Sequence, residues 1–282
     1  MFFIIRCNWA SPTTMKHTWS KMTPQQTGRW GNIEITDDPD KADYIVIINS
    51  DPSTPLEQYR GRTDVFYFSM EPRPLCDDTV FLNNYGHHKT HNLVEWHLGY
   101  SYDDLSAYHS LDKLDRISVV QSAKNFDVGH KKRIKFVELL NRRCELLDCF
   151  GTLNHPSLKH YKGSLPWGYK EKGLIPYKYH FACENNAIDN YFTEKIVDGI
   201  LSECVVFYWG CPNVEEYIPA EAFIRLELEP DTMEQNLQTV LEAIRTDEWS
   251  RRIDVIRQAK HHILNNLQVF PHLEQIFARS NK

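Results

Sequence analysis

Long apolar runs are missing from this sequence of 282 residues, and none approaches the roughly 20 residues that a membrane-spanning helix needs. The first seven residues (MFFIIRC) also lack the basic lead and the small-residue cleavage site of a signal peptide, so they predict a buried strand. We therefore expect no membrane span and no secretory leader.

An excess of positive charge is also missing, because 32 lysines and arginines face 38 aspartates and glutamates, a net charge of −6. Proteins that hold nucleic acid through its phosphates are usually basic, so we expect no nucleic-acid partner, although a local basic pocket is compatible with this balance. Glycine and proline number only 12 and 14, which excludes a fibrous or low-complexity chain.

Paired cysteine motifs are absent as well. The seven cysteines include no Cys-x-x-Cys pair, and their odd number favours reduced, mostly buried thiols in a compartment of cytosolic type. Two other patterns have some likeness to metal sites, residues 87–91 (HHKTH) and 38–40 (DPD). The first has no acidic partners and the second contains a proline typical of a turn, so we predict no metal site.

The sequence does contain enough apolar and aromatic residues for a core, at 41% and 12% of the chain. Short apolar runs typical of buried strands alternate with amphipathic patterns typical of helices, which predicts an α/β fold with parallel sheets. The predicted strands are 2–7, 44–49, 64–70, 117–121, 146–150, 179–183, 205–208 and 223–226. The polar segment 122–130 follows the fourth strand and is the predicted domain boundary.

Residues 177–219 carry the most chemical information. A predicted strand delivers a polar turn, Glu184 to Asn190, and Asn190 or Thr193 can then cap a helix with Glu194 and Lys195 in its first turn. A lysine there opposes the helix dipole unless an anion is bound, and a helix N-terminus is suited to phosphate. The residues alone leave two interpretations open with equal weight: a phosphate- or nucleotide-binding turn, and a capped surface helix with a solvated ion pair.

The same segment carries a family resemblance. Glu184-Asn185-Asn186, residues 191–196 (YFTEKI) and residues 206–210 (VFYWG) resemble the signature of the family 10 glycosyltransferases. These are the α1,3/α1,4-fucosyltransferases, which use GDP-fucose. Their pattern is Glu-Asn-Ser, a short spacer, Tyr-x-Thr-Glu-Lys, a helix, and an apolar strand that ends in Gly. The spacing here matches without a gap, and Asn186 stands where the family usually has Ser.

Two further runs, 66–72 (FYFSMEP) and 147–151 (LDCFG), also resemble strands of this family. The resemblance implies a GT-B fold, with two Rossmann-like domains facing across a cleft. We expect an acceptor-binding domain at 1–125, a donor-binding domain at 126–262, and a C-terminal helix at 263–282 that could pack back on the first domain.

The resemblance also implies site residues. Glu71 corresponds to the proposed catalytic base of the family, and Arg133 to the arginine that binds the donor phosphate. Glu194 is implied in catalysis as well as in donor binding, facing either the ribose or the sugar ring on which positive charge develops. The further implied donor-binding residues are Asn185, Lys195 and Tyr191, and Tyr191 either packs on the guanine or bonds a phosphate.

The implied reaction moves L-fucose from GDP-fucose to a hydroxyl of an oligosaccharide or glycoconjugate acceptor, with inversion and an α1,3-type linkage. No cofactor is required in this scheme, although a divalent ion such as Mn could stimulate it without a protein site. Eukaryotic members carry a membrane anchor, so we expect a soluble bacterial- or virus-like member in the cytoplasm. Two alternatives stay open: another nucleotide sugar as donor, and an inactive nucleotide-sugar- or glycan-binding protein.

Overall fold

A computed structural model describes residues 1–110, 112–152, 158–166 and 168–280, which form two units built on parallel sheets. The strands are β1 (Phe2–Cys7), β2 (Arg29–Trp30), β3 (Ile33–Thr36), β4 (Tyr44–Ile48), β5 (Val65–Phe68), β6 (Asn83–Tyr85), β7 (Leu114–Val120), β8 (Leu147–Phe150), β9 (Tyr177–Cys183), β10 (Val205–Trp209) and β11 (Phe223–Arg225). The helices are α1 (Pro12–Ser20), α2 (Tyr102–Ala107), α3 (Val128–Arg143), α4 (Glu194–Leu201), α5 (Met233–Arg245), α6 (Glu248–His262) and α7 (Val269–Ser280).

The first sheet has the order β2-β3-β1-β4-β5-β6, and all its pairs are parallel except β2 with β3 at one edge. Its central strands are apolar, β-branched and aromatic, which suits strands covered on both faces. Because parallel strands end at the same edge, the segments after β1, β4 and β5 lie side by side.

The second sheet is fully parallel and has the order β11-β10-β9-β7-β8. It corrects the expected boundary at residue 125, because Leu114–Val120 pairs with β8 and β9 rather than with the first sheet. The change of sheet therefore falls between Tyr85 and Leu114, and the polar segment 122–127 is a βα loop inside the second unit.

The chain crosses between the units a second time after α6. Helix α7 packs on the first sheet, where the ring of Phe277 stacks on Tyr44 at 4.5 Å and lies 5.0 Å from Phe66. Phe270 of the same helix lies 5.8 Å from Phe3. Among the helices of residues 1–110, 112–152, 158–166 and 168–280, none combines the length and the hydropathy that a membrane span requires.

Buried charged side chains fix the segment in which the chain passes from the first unit to the second. Nζ of Lys113 donates to the carbonyl oxygens of Ile175, Tyr177 and Ser202 at 2.6–3.0 Å. The fully buried carboxylate of Glu203 accepts from the amide of Ser110 at 2.9 Å and from Nζ of Lys260 at 3.0 Å. These contacts fix the connecting segment to the second unit.

All seven cysteines are free, and six of them are buried.

Candidate active site

A buried carboxylate anchors the turn between β9 and α4. Glu184 is fully buried, and its two carboxylate oxygens accept from the amide and the hydroxyl of Thr193 at 2.9 and 2.7 Å. The amide of Glu184 donates to Trp209 O at 2.9 Å, and a Cβ at Gly210 would lie 2.4 Å from Cγ of Glu184. The turn is therefore tied to the ends of two adjacent strands.

Thr193 is the N-cap of α4, and its hydroxyl oxygen accepts from the amide of Lys195. Nζ of Lys195 donates to the same hydroxyl at 2.9 Å and lies 3.3 Å from Oε1 of Glu194 and 3.5 Å from Oε2 of Glu184. The side chains of Glu194 and Lys195 are 19% and 20% exposed. The first turn of α4 therefore holds both charges, each of them partly exposed to solvent.

The charges of this turn support each other. Burial opposes the charge of Lys195, but Glu194 and Glu184 outweigh that effect and raise the pKa of Lys195 above its ordinary value. Burial likewise acts to raise the pKa of Glu194, but the cations Lys195, His97 and Lys170 hold it well below its usual range. Both groups are ionised at neutral pH.

Arg133, on α3, lies beside the same turn and is only 5% exposed. One terminal nitrogen donates to Cys183 O at 3.3 Å, whereas Nε is buried without a hydrogen-bond partner. Among the described residues it forms no ion pair: burial lowers the pKa of Arg133, and Glu184 and Glu194 act on it only at longer range. A buried guanidinium without a counter-ion is a candidate anion-binding group.

Helix α3 begins against this turn because Gly129 allows close backbone contact. The amide of Gly129 donates to Asn185 O at 3.0 Å, and a Cβ at this position would lie 1.9 Å from Glu184 O. The N-terminus of α3 and the half-buried Asn185 therefore meet next to Arg133.

Tyr191 joins the two units. Its side chain is 1% exposed, and its ring meets the ring of His87 edge-on at 5.0 Å. Nδ2 of the neighbouring Asn190 donates to His87 O at 2.6 Å. The ring of Tyr191 thus packs in the junction and does not stand free to stack on a base, while a contact of its hydroxyl with the donor stays a prediction.

Glu71 follows β5 at the carboxyl edge of the first sheet, and two side chains place its backbone. The amide of Met70 donates to Oδ1 of Asn49 at 2.7 Å, and Asn49 has a left-handed φ of 61°. Nε2 of His87 donates to Glu71 O at 3.0 Å. The loop that contacts Tyr191 therefore also fixes Glu71.

The carboxylate of Glu71 shares the electrostatic environment of the second unit. Burial raises its pKa and is the largest effect, Lys195 and Lys124 oppose it, and Asp127 and Glu194 reinforce it. A half-buried carboxylate with a raised pKa is suited to accept a proton. Within the described segments, no group of three or more His, Cys, Asp or Glu is arranged to hold a metal ion.

A second junction between the units was not predicted. Asp198, one turn after Glu194 on α4, is fully buried and accepts from Nζ of Lys170 at 2.6 Å. Its other oxygen accepts from the amide of His97, which belongs to the first unit, at 2.9 Å. Nothing in the sequence around His97 indicates this contact, because its partner Asp198 lies 101 positions away.

Replacing Glu184 by Ala should destabilise the protein by about 3–5 kcal/mol, because it leaves the amide and the hydroxyl of Thr193 without their acceptor and removes one of the two carboxylates beside Lys195. Chemical denaturation of the variant and the parent measures this change. Glu57→Ala is the matched control, since that carboxylate pairs with Arg60 on the surface and its loss should leave the midpoint unchanged within error. An equal midpoint for Glu184→Ala and the parent would contradict the anchoring role.

Comparison with known families identifies the chain. The family model described as glycosyltransferase family 10 (fucosyltransferase) C-term matches residues 113–255, more than half of the chain. The chain belongs to this family. The family 10 protein described here is therefore a glycosyltransferase, and the match begins where the second sheet begins. A search of curated proteins finds no match.

Solved structures agree on the fold of this family 10 glycosyltransferase. An alpha1,3-fucosyltransferase matches with a TM-score of 0.61 and 14% identity over 100% of this chain and 90% of that chain. An alpha1,3-fucosyltransferase with GDP-fucose matches at 0.50 and 14%, over 89% and 80%. The DNA-modifying enzyme β-glucosyltransferase matches at 0.52 and 9%, over 99% of both chains. At these identities the matches show the fold alone, and they confirm the predicted GT-B architecture.

Proposed function

We propose that this glycosyltransferase moves L-fucose from GDP-fucose to a hydroxyl of a glycan acceptor, with inversion at the sugar carbon and an α1,3-type linkage. The second unit holds the donor, and the first unit holds the acceptor and the catalytic base. The family and the structure of an alpha1,3-fucosyltransferase with GDP-fucose support this choice of donor.

The observation that carries the proposal is the buried guanidinium of Arg133 beside the first turn of α4, which forms no ion pair with any residue that the structure describes and has a buried Nε without a hydrogen-bond partner. Burying a cation without a counter-ion costs free energy, and a bound diphosphate supplies that counter-ion. Lys195 reaches the same turn with a second positive charge. The two cations lie on different helices, so together they can bind one diphosphate from two sides.

The chemical step needs a base on the acceptor side. The carboxylate of Glu71 takes the proton of the acceptor hydroxyl as that oxygen attacks the anomeric carbon of the donor. The bond from this carbon to the phosphate oxygen breaks, and GDP departs with its added negative charge. Arg133 and Lys195 stabilise that charge, so the scheme requires no cofactor.

The remaining predicted residues complete the donor site. Glu194, ionised at the start of α4, faces the donor sugar, where positive charge develops on the ring. Asn185 donates from its side-chain amide, and Tyr191 closes the junction next to the donor with its buried ring. The turn anchored by Glu184 holds these groups in register.

GDP should raise the melting temperature of the protein more than UDP does. A ligand that binds only the folded state adds about 2.7 kcal/mol to the unfolding free energy at 100 times its Kd. Thermal unfolding with GDP, UDP and no nucleotide measures the effect.

Lys195→Met should lose most of the GDP shift, because it removes a cation of the proposed site. Lys131→Met is the matched control, since Lys131 is exposed on α3, and it should keep the full shift. A larger shift with UDP would favour another nucleotide-sugar donor. No shift with any nucleotide would favour the glycan-binding alternative and contradict the proposal.

A further inference from the structure

The backbone at His97 is fixed across the junction of the two units. Its amide donates to Oδ1 of Asp198 at 2.9 Å, and Asp198 also accepts from Nζ of Lys170 at 2.6 Å. Two positions later, the amide of Gly99 donates to Oε2 of Glu171 at 2.8 Å. The contacts to Asp198 and Glu171 use the main-chain amides of His97 and Gly99, so they do not depend on the identity of the side chain at position 97.

The side chain of His97 is oriented by a neighbour instead. Its Nε2 lies 3.2 Å from Oε1 of Glu95, and the other oxygen of Glu95 accepts from Nε1 of Trp19 at 2.9 Å. The imidazole remains 51% exposed, and within the described segments its Nδ1 has no hydrogen-bond partner. The ring is half-exposed, with one nitrogen held by Glu95 and the other without a partner in the described segments. It is therefore placed to interact with other groups of the site and does not fill the core.

Charges from several elements surround this ring. The acidic groups are Glu95 on the same loop, Glu194 and Asp198 on α4, and Glu171 in the segment Lys170–Gly173. The nearby cations are Lys21 after α1, Lys170 and Lys195. Burial alone lowers the pKa of His97, but Glu194, Glu95 and Asp198 outweigh it, so the pKa lies above the ordinary value of 6.5. The effect is mutual, since His97 also helps to hold Glu194 ionised.

We propose that His97 is a positioning residue of the transfer reaction: its imidazolium, oriented by Glu95, faces Glu194 from the opposite unit and holds that carboxylate toward the donor sugar. This inference rests on the proposed function of Glu194. Lys195 lies closest to Glu194 in the free protein, but a bound diphosphate competes for that lysine. Lys170, the third cation that acts on Glu194, is paired with Asp198 at 2.6 Å. His97 is then the cation of the first unit that balances Glu194.

The test compares the pH dependence of kcat/KM for GDP-fucose transfer in the parent, His97→Ala and His97→Lys. Protonated His97 is the active form, so parent activity should fall as the pH rises through the raised pKa of His97. His97→Ala should lower kcat/KM about 10- to 100-fold at the pH optimum, because it removes a positive charge that acts on Glu194. His97→Lys keeps a positive charge, so it should restore much of the activity and remove the alkaline fall. His261→Ala, on the exposed end of α6, should behave as the parent.

A double-mutant cycle separates positioning from simple domain packing. If His97 acts through Glu194, His97→Ala should have little further effect in a Glu194→Gln background, whereas unrelated effects add. The melting temperature of His97→Ala should stay within a degree or two of the parent, since the amide contact to Asp198 remains. Parent-like kcat/KM for His97→Ala at every pH, or full additivity with Glu194→Gln, would overturn the inference. An inactive parent protein would instead count against the proposed function.

Discussion

Replacing Glu71 by Gln should lower kcat about 10²- to 10⁴-fold, the range typical of a lost general base. The amide keeps the shape of the carboxylate but cannot take the proton of the acceptor hydroxyl. GDP binding should change little, because Glu71 lies on the first unit and Arg133 and Lys195 on the second. Steady-state transfer kinetics and calorimetric titration with GDP measure the two effects separately.

The transfer activity of the parent enzyme should also fall at low pH, and the pKa of Glu71 should determine where it falls. A base works when it is deprotonated, and burial raises the pKa of Glu71, so activity should fall as the pH drops through that raised value. Glu57→Gln, on the surface of the same unit, is the matched control and should keep both the rate and the pH profile. Parent-like turnover of Glu71→Gln would remove Glu71 from the mechanism.

Replacing Arg133 by Met should have opposite effects on stability and activity. Met fills similar volume without a charge, so the free protein should gain about 1–3 kcal/mol in unfolding free energy, because the variant removes a buried cation that has no counter-ion among the described residues. Transfer activity should fall about 10²- to 10³-fold, since one donor to the leaving diphosphate is lost. Denaturation without nucleotide and transfer kinetics measure the two changes.

Arg116→Met is the matched control for this variant. Arg116 forms a bidentate pair with the buried Asp148 at 2.9 and 2.8 Å. Its removal leaves that carboxylate with fewer partners, so it should cost about 1–3 kcal/mol of stability. GDP affinity should stay unchanged for Arg116→Met. If Arg133→Met instead lost stability and bound GDP as well as the parent, Arg133 would be a structural residue.

Local chemistry predicted the first turn of α4 well. Thr193 is the N-cap there, and Glu194 and Lys195 follow in the first turn, as capping preferences indicate. The strands with continuous apolar runs, such as Tyr44–Ile48 and Val205–Trp209, were also predicted within one residue at either end, because fully buried parallel strands leave a strong pattern. Short strands such as Ile33–Thr36 leave too little pattern to detect.

The parts that the sequence did not predict depend on contacts between distant segments. The polar loop at 122–127 looks like a linker, but strand pairing alone decides that Leu114–Val120 belongs to the second sheet. The anchoring by Glu184 and the close contact at Gly129 require the tertiary structure in the same way. The family resemblance implied a role for Arg133, but only the structure shows that this side chain is buried and has no counter-ion among the described residues.

The most direct test of inverting fucosyl transfer from GDP-fucose is a transfer assay with GDP-fucose, GDP-mannose and UDP-glucose against a panel of oligosaccharide acceptors. Products would be identified by mass spectrometry, and the anomeric configuration of the new bond by NMR. We predict transfer from GDP-fucose to give an α-linked fucoside, and loss of that transfer in Glu71→Gln. Transfer from UDP-glucose but not from GDP-fucose, or a product with retained configuration, would contradict it.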